Sequence, residues 1–124
     1  MMLYCAAALI VLIGLAHSYL GERFILQRLF RNGQLPRLLG GTEFTQKTLR
    51  FAWHLTSVAW WGLAAILILL AEPAASPAAI GQVIAIVFGI HFAVALIASR
   101  GQHLSWIVFL AIAALTWMAT NSTP

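Results

Sequence analysis

The stretch LRFAWHLTSVAWWGLAAILILL, residues 49–70, decides the fold class of this chain. Arg50 is its only fully charged residue, and the run has the length of about 20 apolar residues that spans the hydrocarbon core of a bilayer. Because backbone N–H and C=O groups cannot stay unpaired in lipid, such a run folds as a helix. Comparable apolar runs lie at about residues 3–20, 79–98 and 103–119. The sequence therefore predicts an all-α, polytopic membrane four-helix bundle.

The composition excludes a soluble domain. Of the 124 residues, 62% are hydrophobic and 8% are charged, and the mean hydropathy is +0.93. Soluble domains carry about 25% charged residues, so this chain could not cover a surface that faces water. The length fits a single transmembrane domain over residues 1–124. The one cysteine, Cys5, cannot form an intrachain disulfide.

The basic residues predict the orientation. Arg100 lies in the short link at residues 99–102, and the link at residues 71–78 contains no lysine or arginine. The other cations lie in or beside the long link at residues 21–48: Arg23, Arg28, Arg31, Arg37, Lys47 and Arg50. Lysine and arginine near helix ends favour the cytoplasmic side, so the long link is predicted to be cytoplasmic and both termini non-cytoplasmic. This pattern is typical of a multi-pass protein of the bacterial inner (cytoplasmic) membrane.

The beginning of the long link has its own pattern. Residues 22–31 alternate aromatic and aliphatic side chains with arginines, which predicts an amphipathic segment in the membrane interface. The cations predict anionic inner-leaflet lipids of the bilayer as partners, and no nucleic acid is expected. The many small residues of the predicted spans favour close helix contacts, so a homo-oligomer or another membrane partner is also an expectation.

Each predicted helix contributes one histidine in the membrane half nearer the basic links: His17, His54, His91 and His103. Ionisable side chains inside a bilayer are costly and mark candidate functional sites. Neutral imidazole suits Zn, Cu and Fe, and a carboxylate beside it favours Fe or Mn. Helix bundles build metal sites from inward-facing side chains in this way. The set therefore predicts a transition-metal site, with Glu22 as a further ligand and Glu43 as an additional carboxylate candidate or a first-turn helix residue.

Helical spacing defines the faces of the predicted helices. Ser18 and Glu22 are four residues apart and share a face, whereas His17 lies about 140° from Glu22 around an ideal helix. His17 and Glu22 therefore reach one site only if the chain bends at Gly21. A face of the second predicted helix carries four residues at helical spacing: Arg50, His54, Ser57 and Trp61.

Several functions fit these residues. The first is a metal-dependent enzyme or a redox protein with a cytoplasm-facing histidine site. The alternatives are a single-heme b-type membrane protein, with two histidines as axial ligands, or a structural or transport subunit of a larger membrane complex. A proton or ligand pathway and structural hydrogen bonding within the bundle also stay open. Trp60 and Trp61, near mid-membrane, fit either core packing or the binding of a flat aromatic cofactor or quinone.

Two phrases of the chain carry a resemblance. They are AHSYLGERFIL at residues 16–26 and TLRFAWHLTSVAWWGLAA at residues 48–65. Both resemble segments of small, uncharacterised four-helix inner-membrane proteins of proteobacteria. The resemblance implies a bacterial membrane origin and no activity.

Overall fold

The computed structural model describes residues 1–122, and four helices account for most of them. The helices are α1 (Met2–Arg31), α2 (Glu43–Ala71), α3 (Pro77–Ser99) and α4 (Ser105–Asn121). Helices α1, α2 and α3 are long and apolar enough to cross a membrane, whereas α4 is a shorter apolar helix of 17 residues. The prediction of an all-helical fold is confirmed within residues 1–122, and three helices are compatible with an integral membrane protein.

Helix α1 is longer than its apolar run predicts. The sequence places the end of the first span at residue 20 and a separate interfacial segment after it. The structure instead continues the helix from Met2–Leu20 through a π-helical segment, Gly21–Leu26, to the last turn, Gln27–Arg31. Its 30 residues make a helix of about 45 Å at a rise of about 1.5 Å per residue. The predicted amphipathic segment is therefore an extension of α1.

The wide π turn begins where α2 touches the backbone of α1. Trp53 Nε1–H donates to the carbonyl oxygen of His17 at 3.0 Å, one turn before Gly21. A Cβ at Gly21 would collide with the Trp53 indole, so the absence of a side chain permits this contact. A group that competes for a carbonyl of the helical ladder is a known cause of local helix distortion. The extended α1 thus depends on a contact between helices distant in sequence.

The helices pack side by side in chain order. Extensive contacts join α1 to α2, α2 to α3 and α3 to α4. The links at residues 72–76 and 100–104 are short, as neighbouring antiparallel helices require. The predicted bundle is therefore an open one, in which α2 and α3 occupy the middle of the row.

Local signals end and start the middle helices. Ser76 Oγ accepts a hydrogen bond from the Ala79 N–H at 3.2 Å, and Pro77 follows at the first helical position. Both features are typical of a helix N-terminus. At the other end of α3, Arg100 adopts a left-handed conformation with φ of 52°, which stops the helix before Gly101.

A small apolar core lies where α2, α3 and α4 meet. Phe51, Leu55 and Ala95 are buried there. Partly buried side chains from α2, α3 and α4 pack against them: Val58, Val94, Ala98, Trp106 and Phe109. This core positions the pocket described below.

Candidate functional site

The four histidines lie in separate surroundings. His17 and His54 contact groups at the α1–α2 interface, whereas His91 and His103 line a pocket between α2, α3 and α4. Within residues 1–122, no group of three or more His, Cys, Asp or Glu side chains is placed to hold a metal ion. The predicted metal ligands His17, Glu22, His54, His91 and His103 are therefore not gathered into such a group within residues 1–122. A similar depth along four helices does not make side chains face one another, and the open row separates them.

His54 joins polar residues of α1 and α2 into a hydrogen-bonded chain. Its Nδ1 lies 3.0 Å from Ser18 Oγ, and its Nε2 lies 3.4 Å from Glu22 Oε2. Ser18 Oγ–H donates to Ser57 Oγ at 2.9 Å, and Ser57 Oγ–H donates to the carbonyl of Gly14 at 2.9 Å. Because Ser18 donates its hydroxyl proton to Ser57, His54 Nδ1–H is the donor to Ser18 Oγ, and Nε2 bonds Glu22 only when the ring carries both protons. The chain ends on a backbone acceptor.

Glu22 is the charged end of this chain. Arg50 Nη2 lies 3.0 Å from Glu22 Oε1, and Arg50 Nε donates to Glu22 Oε2 at 3.2 Å. This fork is the stronger, bidentate form of an arginine–carboxylate pair. Two helix faces that the spacing predicts meet here. The face of α1 carries Ser18 and Glu22, and the face of α2 carries Arg50, His54 and Ser57. We call these five residues the α1–α2 polar chain.

His17 belongs to an aromatic stack beside the α1–α2 polar chain. Its ring lies parallel to that of Trp53, with centroids 4.5 Å apart and an interplanar angle of 3°. Trp60 tilts against the same imidazole at 4.9 Å. His17 Nε2 is buried and has no hydrogen-bond partner within residues 1–122. The π-helical segment that begins at Gly21 thus does not bring His17 into the α1–α2 polar chain, and the His17 ring stays in the stack.

The predicted cofactor-binding tryptophans lie against α1. Trp61 Nε1–H donates to the Val11 carbonyl at 3.3 Å, and a Cβ at Gly14 would collide with its indole. Trp60 contacts His17, as described above. These positions match the core-packing interpretation, and neither tryptophan lines the pocket between α2, α3 and α4.

A pocket of about 420 Å³ lies beside the core, where α2, α3 and α4 meet. Phe109 stands edge-on to His91 at 5.4 Å between ring centroids, and Phe51 stands edge-on to His103 at 5.3 Å. Ligand pockets of proteins have volumes of about 300–1,000 Å³ and combine apolar walls with a few polar groups. The lining residues are Thr48, Phe51, Ala52, Leu55, Thr56, Ala59, His91, His103, Ser105 and Phe109.

Neighbouring groups fix complementary tautomers for the two pocket histidines. His91 Nδ1 lies 2.8 Å from the Val87 carbonyl, which can only accept, so Nδ1 carries the proton. His103 Nδ1 accepts the Ser105 N–H at 3.3 Å and lies 2.8 Å from Ser105 Oγ, so in the neutral ring Nε2 carries the proton. These assignments follow from the donors and acceptors of imidazole. His91 Nε2 is therefore an acceptor, and His103 Nε2–H is a donor.

Thr48 adds a hydroxyl to the same pocket. Its Oγ1 is buried and has no hydrogen-bond partner within residues 1–122. A buried polar group without a partner costs about 1–3 kcal/mol, and most such groups in native proteins are bonded to protein, water or a ligand. Thr48 Oγ1 is therefore an unbonded hydroxyl in the wall of the pocket that is closed to solvent in this structure. His91 Nε2 also has no hydrogen-bond partner within residues 1–122, but it is not one of these fully buried atoms.

Sequence reasoning missed Thr48 and Ser105, which the histidine pattern did not include. It also missed the role of Gly14 and Gly21, each of which receives an indole from α2. A signal was present, since the two glycines are seven residues apart and Trp53 and Trp61 are eight apart. Glu43, the additional carboxylate candidate, forms an ion pair with Lys47 in the first turn of α2 and is largely exposed. It therefore matches the first-turn alternative.

No protein-family model, curated protein or solved structure matches this chain.

Proposed function

We propose that this chain is a multi-pass membrane protein that binds a small, neutral, lipid-soluble molecule in the pocket between α2, α3 and α4. The complementary hydrogen-bonding groups of that pocket support the proposal. His91 Nε2 accepts and His103 Nε2–H donates, while Thr48 Oγ1 is buried without a partner. Specific ligand sites place a few such groups within apolar walls in order to orient the bound molecule.

The chemistry of the lining defines the class of ligand. A hydroxyl group of a ligand can donate to His91 Nε2, and an acceptor of the ligand can receive His103 Nε2–H. The aromatic side chains Phe51 and Phe109 in the lining favour a ligand with apolar or aromatic character. Among residues 1–122, no Asp, Glu, Lys or Arg lines the pocket, so a charged ligand would enter without a counter-ion from this part of the chain. A hydroxylated aromatic ring on an apolar tail, such as a phenol or a quinol, fits these conditions.

The metal-dependent and heme functions have less support. A metal-dependent enzyme or redox protein requires a gathered donor set, and none of three or more His, Cys, Asp or Glu residues occurs within residues 1–122. A transition metal ion and heme b therefore stay predictions of the sequence. The bacterial inner membrane is the location that we propose, because the cations concentrate at one end of the apolar helices.

A binding experiment with 4-hexylphenol tests this function. The protein is labelled with ¹⁵N-histidine, placed in lipid nanodiscs and titrated while the imidazole resonances are recorded. We expect the His91 and His103 resonances to shift in a saturable manner, and those of His17 and His54 to stay unchanged. Equal shifts at all four histidines, or no saturable shift, would contradict the proposal.

Variants then connect the affinity to the polar groups. Thr48→Val keeps the shape of the side chain and removes the hydroxyl, and His91→Phe removes the acceptor. We expect each to weaken 4-hexylphenol binding about tenfold, which corresponds to ~1.4 kcal/mol. His54→Gln, in the α1–α2 polar chain, is the matched control and should leave the affinity unchanged. Affinities that do not depend on Thr48 or His91 would contradict the proposed hydrogen bonds.

A further inference from the structure

A second groove lies on the other side of α2, along α1. Its volume is about 410 Å³. The lining changes from apolar to polar along α1 towards the π-helical segment: Leu15, Ser18, Tyr19, Glu22, Arg23, Gln27 and His54. A groove that is apolar at one end and charged at the other has the polarity of an amphiphile that lies along the helix.

The charged end of this groove continues into an exposed basic surface. Arg23, Arg28 and Arg31 are exposed on the extended part of α1. The ion pairs found within residues 1–122 join Lys47 to Glu43, Arg50 to Glu22 and His54 to Glu22. The three arginines of the extension therefore have no carboxylate partner in this part of the chain. Exposed Phe24, Ile25 and Leu29 lie among them, as in helices that enter a lipid interface.

Glu22 does not make the groove repel an anion. Arg50 contacts both of its carboxylate oxygens, at 3.0 and 3.2 Å, and His54 Nε2 lies 3.4 Å from one of them. The Glu22 charge is thus compensated by Arg50 on α2, while the Arg23 guanidinium has no carboxylate partner within residues 1–122. Guanidinium groups bind phosphate oxygens through paired hydrogen bonds.

From this juxtaposition we propose that the groove binds one anionic phospholipid. Its phosphate lies at Arg23, the amide of Gln27 contacts the polar headgroup, and one acyl chain follows Leu15 and Tyr19. A phosphate group could also come from free inorganic phosphate, but the apolar part of the groove favours the lipid. This inference is independent of the pocket between α2, α3 and α4.

Titrations of the purified full chain in detergent test this site. The probes are diheptanoyl phosphatidylglycerol, diheptanoyl phosphatidylcholine and inorganic phosphate, and binding is followed by native mass spectrometry. Arg23→Gln removes the proposed phosphate contact. Arg37→Gln is the matched control, because Arg37 is exposed in the link after α1 and does not line the groove. Circular dichroism checks that both variants keep the helix content of the parent chain.

We expect phosphatidylglycerol to bind at least tenfold more tightly than phosphatidylcholine. We also expect Arg23→Gln to weaken phosphatidylglycerol binding about tenfold and Arg37→Gln to change it less than twofold. Equal losses in the two variants would assign the binding to net charge and overturn the site. Equal binding of both lipids, or inorganic phosphate as tight as phosphatidylglycerol, would also overturn it. A loss confined to Arg23→Gln and to phosphatidylglycerol supports it.

Discussion

The α1–α2 interface and the pocket between α2, α3 and α4 both contain histidines, but they use them differently. At the α1–α2 interface, His54 Nδ1–H donates to Ser18 Oγ and Nε2 faces the Glu22 carboxylate at 3.4 Å. In the pocket, His91 and His103 each engage one nitrogen with nearby groups of their own segment. The first arrangement joins two helices, whereas the second leaves the other nitrogen of each ring without a hydrogen-bond partner within residues 1–122. The partners of the ring nitrogens therefore distinguish His54 from the two pocket histidines.

His17 differs from both groups. Its Nε2 has no hydrogen-bond partner within residues 1–122, yet the ring is stacked on Trp53 and lies among buried atoms. It contributes to the contact of α1 with α2 by stacking, which favours parallel aromatic rings at such separations. A nitrogen without a partner therefore indicates a binding site only where the ring also lines a pocket.

The largest effect is expected at Gly21, where the α1–α2 contact has no room for a side chain. Gly21→Ala places a Cβ against the Trp53 indole. Overpacking and loss of the Trp53 bond to His17 should lower the free energy of unfolding by about 2–4 kcal/mol. The measurement is SDS-induced unfolding in mixed micelles, followed by near-ultraviolet circular dichroism.

Gly89→Ala is the matched control for this substitution. An added Cβ at Gly89, in the interior of α3, meets nothing within 4 Å. Alanine is also the better helix former, by up to about 1 kcal/mol, so this variant should be as stable as the parent or more stable. A similar destabilisation by both substitutions would show that the indole contact at Gly21 is not decisive.

These glycines also show how far the sequence predicts the fold. Hydropathy identifies the apolar spans because lipid requires about 20 apolar residues for each crossing, and the spans agree with the structure to within a few residues at most ends. The helix continues past the predicted end of the first span at residue 20, although Gly21 followed by charged residues is a typical local signal for a helix end. Trp53, distant in sequence, occupies the space that the glycine leaves. Local patterns do not contain such contacts.

Part of the candidate site was also predictable, because helical spacing shows which residues share a face of one helix. Spacing by four and three residues placed Ser18 with Glu22 and His54 with Ser57, and these faces meet in the structure. The common four-histidine centre is not found among residues 1–122, and depth in the membrane carries no information about rotation around each helix. Thr48 could not be selected from the sequence, since only its surroundings show that the hydroxyl lacks a partner.

The next largest effect is expected from Glu22→Gln, which breaks the charged end of the α1–α2 polar chain. Arg50 loses its bidentate partner at a half-buried position, so the free energy of unfolding should fall by about 1–2 kcal/mol. Glu43→Gln is the control, because Glu43 pairs with Lys47 with 74% of its side chain exposed. Exposed pairs contribute little, and the control should unfold like the parent. If the two variants unfold alike, the α1–α2 polar chain does not stabilise the interface.

A smaller loss of unfolding free energy is expected from Ser57→Ala, in the middle of the α1–α2 polar chain. Ser57 is fully buried, donates to the Gly14 carbonyl and accepts from Ser18. Removing its hydroxyl should cost about 1 kcal/mol of unfolding free energy. Ser122→Ala, at the exposed end of α4, removes the same atom where water replaces it. Thermal unfolding in detergent should separate the two variants, and coinciding curves would contradict a role for Ser57.

Thr48→Val tests the difference between the pocket and the α1–α2 interface most directly. Unlike the substitutions at the interface, it is expected to raise the free energy of unfolding. The Thr48 hydroxyl is buried without a partner within residues 1–122, so replacing it with a methyl group should raise the free energy of unfolding by up to about 1 kcal/mol. Thr56→Val is the matched control in the same pocket, since Thr56 Oγ1–H donates to the Ala52 carbonyl at 3.1 Å. That variant loses a hydrogen bond and should gain no stability. If Thr48→Val were destabilising, Thr48 would resemble Ser57, and the pocket would be a second structural interface rather than a site that keeps polar groups free for a ligand.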